Sequence, residues 1–178
     1  MPQHDDERHL QHGHRIFDGP HAGGVHVVTG SPDNEQFAEA APKQTLPWFG
    51  VRNYQARNFM LKDMKVGDPI LFYHSNCAVP GVVGIARVAS EPYPDPTQFE
   101  RGSDYHDPKS KPEEPRWWLV DVGFERKFAG TVSLEAMKAE AEKFGDFALL
   151  RRGNRLSVMP VGAAQYKRIL SMAKAGGQ

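Results

Sequence analysis

The sequence predicts a single α+β domain whose sheet is a small barrel, and three observations carry that reading. A length of 178 residues suits one hydrophobic core. Short β-branched or apolar runs bounded by Gly and Pro alternate with stretches of helical period. The clearest strand, from Arg116 to Arg126, sets Trp118, Val120, Val122 and Phe124 on one face and Trp117, Leu119, Asp121 and Glu125 on the other. Both faces are partly apolar, as in a central strand of a small barrel.

The remaining elements follow in chain order. Residues 1–24 are polar, hold His4, His9, His12, His14 and His21, and carry too few apolar side chains to offset the entropy of ordering them. They are expected to form a disordered extension to a domain spanning 25–174. Val25 to Thr29 is a first strand stopped by Gly30-Ser31-Pro32, and 33–41 allows a helical turn or two. From Arg52 to Met64, Ala56, Phe59, Met60 and Met64 form one helical stripe, and projecting that wheel backwards turns Arg52 and Asn53 inward. Ile70 to His74 and Gly81 to Ala89 read as a hairpin. The segment from Glu91 to Pro115 carries six prolines and no apolar period, far longer than an ordinary connection of about four to six residues. Ser133 caps a helix that Gly145 ends, Leu156 to Met159 is a last strand, and Tyr166, Ile169, Leu170 and Ala173 mark a closing helix.

Composition narrows the function. Net charge is zero, yet residues 1–40 hold seven acids and two bases, which leaves 41–178 with 20 bases and 15 acids. That mild basicity falls short of a protein that grips duplex nucleic acid through phosphates alone. The single cysteine, Cys77, excludes an internal disulfide and a multi-cysteine zinc site. No apolar run approaches the roughly 18 to 20 residues that span a bilayer, so a soluble intracellular protein without membrane contact is expected.

Catalytic candidates are thin. His74, Ser75 and Cys77 share a segment, but neighbours in a strand point to opposite faces, which argues against a working dyad. The carboxylates Asp104, Asp107, Glu113 and Glu114 sit among Lys109, Lys111 and Arg116, as in a solvated, charge-balanced loop. No glycine-rich phosphate loop occurs, and no cofactor is indicated. What remains is a kit for holding one extruded nucleobase: the aromatics Trp48, Tyr73, Trp117 and Trp118, the amides and hydroxyl of Asn53, Asn58, Ser75 and Asn76, and phosphate contacts from Arg52, Arg57, Arg151, Arg152 and Arg155. Trp118 reads better as core than as pocket, because it heads the Val120 face, and Asn53 serves equally well as a helix cap.

The run Trp48-Phe49-Gly50-Val51-Arg52-Asn53-Tyr54-Gln55-Ala56-Arg57-Asn58, followed by Phe72-Tyr73-His74-Ser75-Asn76, resembles the EVE domain family. The similarity continues through Tyr93-Pro94-Asp95, Tyr105, Asp107-Pro108-Lys109-Ser110, Pro115-Arg116-Trp117, Val120-Asp121-Val122 and Arg155-Leu156-Ser157-Val158, covering about 25–172. This resemblance implies a PUA-like mixed β pseudo-barrel of about five to six strands flanked by helices, related to the YTH readers of methylated RNA. It implies recognition of a modified base, modified cytosine in DNA foremost and DNA ahead of RNA, by a monomer with no catalytic activity. By position it assigns Ser31, Trp48, Arg52, Asn53, Tyr73, His74, Ser75, Trp117, Leu156 and Ser157 to the pocket. Such a protein would be nuclear in a eukaryote and cytoplasmic, associated with the nucleoid, in a bacterium. Two departures stand out: Val27 to Pro32 lacks the family's lysine and glutamate, and Phe49 replaces an acid. The competing readings are an enzyme of the related ASCH type, acting on RNA or a small modified nucleoside, and an interaction domain with a vestigial pocket.

Overall fold

The computed structural model describes residues 25–30, 44–75, 77–154 and 156–176. The predicted extension over 1–24 and the helical turn over 33–41 lie outside these residues. Among these described residues, eight strands form two sheets. The larger takes β1 (Val25–Gly30), β2 (Thr45–Pro47), β3 (Pro69–His74), β4 (Gly81–Val88), β7 (Asp121–Ser133) and β8 (Val158–Val161) in the order β2-β7-β4-β3-β1-β8 and curls into a half-barrel. The smaller pairs β5 (Tyr93–Pro94) with β6 (Trp118–Leu119). Helices α1 (Tyr54–Asn58), α2 (Leu134–Ala139), α3 (Ala141–Phe144) and α4 (Ala163–Ala175) pack around them, so the mixed pseudo-barrel expected from the sequence is the fold observed.

Period-2 alternation in the central strands separates two cores. Val25, Val27, Leu71 and Tyr73 face a cluster with Met137, Phe144, Phe147, Met159 and Ile169, under α2 to α4. Val28, Ile70 and Phe72 face the other, with Trp48, Val51, Ala56, Met60, Met64, Val120 and Val122. Both faces of β1 and β3 are therefore dry, which explains their continuous apolar runs. The β3–β4 hairpin forms as expected, with an irregularity between Phe72 and Tyr73. Ser133 caps α2 by accepting from the Ala136 amide at 3.0 Å, and Gly145, at φ +62°, stops α3.

Two expectations need correction. The strand over 116–126 is two strands in different sheets: β6 ends at Leu119, Val120 accepts from the Trp48 amide at 3.0 Å, and β7 starts at Asp121 and runs on to Ser133. This corner breaks the alternation, so Trp117 is buried while Trp118, expected in the core, is half-buried with its indole N–H donating to Pro115 O at 3.3 Å. The helix over 52–64 also begins later than its apolar stripe suggests. Asn53 is extended (φ −113°, ψ 127°) and exposed, so Arg52 and Asn53 do not continue the wheel inward. Beyond Asn58 the chain widens into a π-helical turn, Phe59–Asp63, closed by Met64 N–H donating to Phe59 O at 3.0 Å, and Ala56, Met60 and Met64 still form the buried stripe.

Trp48 sits in the second core at 5 % exposure, edge-on to Phe72 with ring centroids 5.6 Å apart. Truncating it leaves a large void, so Trp48→Ala is expected to lower unfolding free energy by about 3–5 kcal/mol. A shift of the urea midpoint with unchanged slope would register that loss. A variant as stable as the parent would place the indole outside the core.

Candidate functional site

β1 and β3 run parallel with Gly30 opposite His74, and β8 runs antiparallel to β1 with Val158 opposite Val28. The carboxyl ends of β1 and β3 and the amino end of β8 thus open at one edge of the sheet, where parallel strands commonly leave room for ligands. A groove of about 570 Å³ lies there, within the usual range for small-molecule sites of about 300–1,000 Å³. Tyr73 and Ser75 line it from the end of β3, Leu156 from the approach to β8 and Met159 from within β8. Leu134 and Lys138 come from α2, and Leu149, Arg151, Arg152, Gly153 and Asn154 from the turn after α3.

The groove combines an apolar wall with a cationic rim. Asn154 braces its loop by accepting from the Leu156 amide at 3.1 Å while its amide group approaches the Met159 sulfur at 3.4 Å. Arg151 makes a bidentate pair with Asp146, but both are exposed, so the pair is weak and exchangeable for another anion. Burial, and then repulsion from Cys77, push the Tyr73 phenol above its ordinary pKa. As in an ordinary tyrosine, the hydroxyl is un-ionised at neutral pH and can donate or accept a hydrogen bond.

Of the residues predicted for the site, the structure gathers Tyr73, Ser75, Leu156, Arg151 and Arg152 along this groove. Ser157 is half-buried beside Leu156. Ser31, Asn76 and Arg155 lie outside the described residues. His74 faces away from Tyr73, edge-on to Phe72 at 5.0 Å, and Trp48 lies behind Phe72 in turn. These two back the end of β3 from the opposite side of the sheet.

Arg52, Asn53, Arg57 and Trp117 belong to a different assembly, which locks the long 91–115 segment onto α1. Arg52 engages all its N–H groups within the fold: Nε and one terminal nitrogen donate to Tyr105 O at 3.0 and 2.6 Å, and further bonds reach Val51 O, Asp95 Oδ2 and Thr97 Oγ1 at 3.0, 3.0 and 3.1 Å. Asn53 caps α1 by accepting from the Ala56 amide at 3.0 Å. Arg57 donates to Arg116 O at 2.8 Å and lies 4.7 Å over the Tyr54 ring. Trp117 is covered by Tyr54, stacked at 4.8 Å, and donates from its indole to Asp107 at 2.7 Å. With one ring face taken and its N–H engaged, Trp117 packs as a brace.

The core of that lock is polar and was not legible in the sequence. Gln98 is fully buried and satisfied on both ends: it donates to Asp95 O and Trp117 O at 2.7 and 2.8 Å, and accepts from Ser110 and the Trp117 amide at 2.6 and 3.0 Å. Asp95 is 1 % exposed. Burial opposes its ionisation most, but hydrogen bonds from the Gly50 amide, Thr97 and Arg52 outweigh that cost and hold the carboxyl below its ordinary pKa. Asp95-Pro96 was a readable signal, an N-cap before a proline at the first helical position. Gln98 gave none, nor did Lys138, Leu149 and Asn154 in the groove.

Comparison with known proteins places these features in a lineage. The model of the EVE domain matches residues 25–172. Mouse thymocyte nuclear protein 1 is 45% identical over 141 residues, which cover 75% of this chain and 62% of that protein. The chain thus spans about three-fifths of the length of such curated relatives. A Pseudomonas syringae protein of known crystal structure superimposes with a TM-score of 0.77 at 38% identity, covering 84% of this chain and 99% of the other. The human THYN1 protein, solved in complex with 5-methylcytosine-containing DNA, gives a TM-score of 0.74 at 36% identity over 84% of this chain and 97% of that one.

The Arg52–Asp95 pair generates a test with a definite sign. Because the folded state holds Asp95 below its unfolded value of about 3.9, its charge stabilises the fold above that pH, and the contribution fades as pH falls through the unfolded and then the folded value. Asp95→Asn is expected to cost about 1.5–3 kcal/mol at pH 7, with the gap to the parent narrowing below about pH 4. Chemical denaturation of both proteins from pH 7 to pH 3 measures this, and a gap that widens on acidification would contradict it.

Proposed function

Because the chain belongs to the EVE domain family, we propose that it is a DNA-binding module that draws a modified base, modified cytosine first, out of the duplex and into the groove at the carboxyl end of β1 and β3. The observation that carries this reading is the human relative's complex with 5-methylcytosine-containing DNA. The groove's chemistry supports it. A base inside a duplex presents only its edges, so reading a substituent from all sides requires extrusion at a cost of a few kcal/mol. Leu134 and Leu156, backed by the buried Leu149 and Met159, offer apolar surface to a methylated ring, Tyr73 and Asn154 supply polar groups beside it, and Lys138, Arg151 and Arg152 would serve flanking phosphates.

On this reading Ser31, Ser75, Ser157 and Arg155, carried by the same motif segments, complete the pocket and its rim. Trp48, Arg52, Asn53, Arg57, His74 and Trp117 serve by holding the elements that frame it. The role is recognition without turnover, on DNA in preference to RNA, by a monomer that would be nuclear in a eukaryote and nucleoid-associated in a bacterium.

A binding panel tests the proposal: duplexes carrying cytosine, 5-methylcytosine, 5-hydroxymethylcytosine or methylated adenine, with a matching RNA, measured by anisotropy at two salt concentrations. A modified-cytosine duplex is expected to bind tightest. Tyr73→Phe should remove part of that preference, worth about 0.5–1.5 kcal/mol. Arg152→Ala should weaken every duplex alike and lower the salt slope by about one. Equal binding of all duplexes by the parent protein would defeat the reading.

A further inference from the structure

We propose that the cleft lined by Phe49, Tyr105 and the 100–104 turn is a docking site for the lysine side chain of a basic protein segment. The cleft, about 470 Å³, is lined by Phe49, Thr97, Glu100, Ser103, Asp104 and Tyr105, and shares no residue with the groove described above. Phe49 and Tyr105 are 49 % and 40 % exposed, unusual for large aromatic side chains among the described residues. Their rings meet edge to face at 70° with centroids 5.7 Å apart, so they form an aromatic corner whose uncovered surface borders the cleft. The carboxylates of Glu100 and Asp104 stand on the same cleft.

Charge complementarity selects the occupant. Aromatic faces attract cations through their quadrupole, and carboxylates beside them add direct attraction. The same carboxylates repel phosphate, so this surface is unsuited to nucleic acid. The guanidinium that touches Tyr105, that of Arg52, is already paired with Asp95 at 3.0 Å and does not compensate Glu100 and Asp104. A lysine presents a compact ammonium for the carboxylates and a methylene stem that lies along an exposed ring.

The corner is also preorganised. Gly50 adopts φ +86°, and a Cβ there would lie 2.8 Å from the Tyr105 ring, so the ring rests directly on the backbone beside Phe49. Arg52 fixes the Tyr105 carbonyl from below, and the Tyr105 amide donates to Ser103 Oγ at 3.1 Å. Such rigidity holds the aromatic pair in one arrangement on the surface, which lowers the ordering cost of binding.

The test uses the full chain, isotopically labelled, titrated with a capped Gly-Lys-Gly tripeptide and with its Nζ-trimethylated and Nζ-acetylated forms. Saturable amide shifts at 49–50 and 100–105 are expected with the lysine and trimethyl-lysine peptides and not with the acetylated one, which has lost its charge. Phe49→Ala should weaken the lysine peptide about two- to fivefold, and Glu100→Gln combined with Asp104→Asn should weaken it as well. Binding of the modified duplex should be unchanged in Phe49→Ala, which separates this site from the DNA reading. The proposal is overturned if the acetylated peptide binds equally, if the shifts fall in 134–159 instead, or if no saturable shift occurs.

Discussion

Two parallel strands cannot be joined by a tight turn, and pairing β1 with β3 in that sense obliges the chain to cross over before it returns. The described part of that crossover crosses to β2 at the far edge of the sheet, dips through Trp48 and Val51 into the second core, and returns by way of α1 and the π-helical turn. Its amphipathic stripe, Ala56, Met60 and Met64, is what dries one face of β1 and β3. Among the described residues, the two strands end together and leave an open edge at their carboxyl ends, and β8, running antiparallel to β1, brings Leu156 to the same place. The groove is thus a consequence of strand direction before it is a consequence of any particular side chain.

A second constraint concerns how a long segment with no apolar period is kept in place. The stretch over 91–115 cannot be held by a hydrophobic stripe, and it is held by buried polar groups that are all satisfied: Asp95, Gln98 and Ser110. Buried polar groups are tolerated only under that condition, and when it is met they specify one arrangement. Arg52 is the outward extension of this network, and its planar fork suits several acceptors at once where a lysine would not. The concentration of arginine, asparagine and tryptophan between Trp48 and Asn58 has the composition of a recognition surface, yet most of these side chains are committed within the fold.

This explains what the sequence revealed and what it withheld. Strands with uniform alternation, the Ser133 cap and the Gly145 stop were legible because each is encoded by a few neighbouring residues. The corner at Val120 was not, since it arises from hydrogen bonds to Trp48 and β5, which are distant in sequence and leave no local mark. For the same reason a helical wheel carried back past Asn53 misplaced Arg52 and Asn53: amphipathic period says which face is apolar but not where the first turn begins. Of the residues lining the groove, Tyr73, Ser75 and Leu156 lie in the motif segments, whereas Lys138, Leu149 and Asn154 arrive from elements joined only by tertiary packing.

The distribution of charge follows the same division of labour. A chain of zero net charge cannot rely on phosphate contacts over a broad surface, so any affinity for nucleic acid has to be concentrated where cations converge on a shaped groove. Lys138, Arg151 and Arg152 supply that convergence, while Glu100 and Asp104 give the Phe49–Tyr105 cleft the opposite sign. On the proposed reading, a duplex would be drawn to one of these sites and repelled from the other, which would orient the encounter before any base is read. The locked 91–115 segment maintains this separation: it fixes Tyr105, and with it the acidic cleft, to the start of α1 through Arg52, independently of the turn that presents Arg151 and Arg152. The two surfaces share no lining residue and can therefore be altered one at a time.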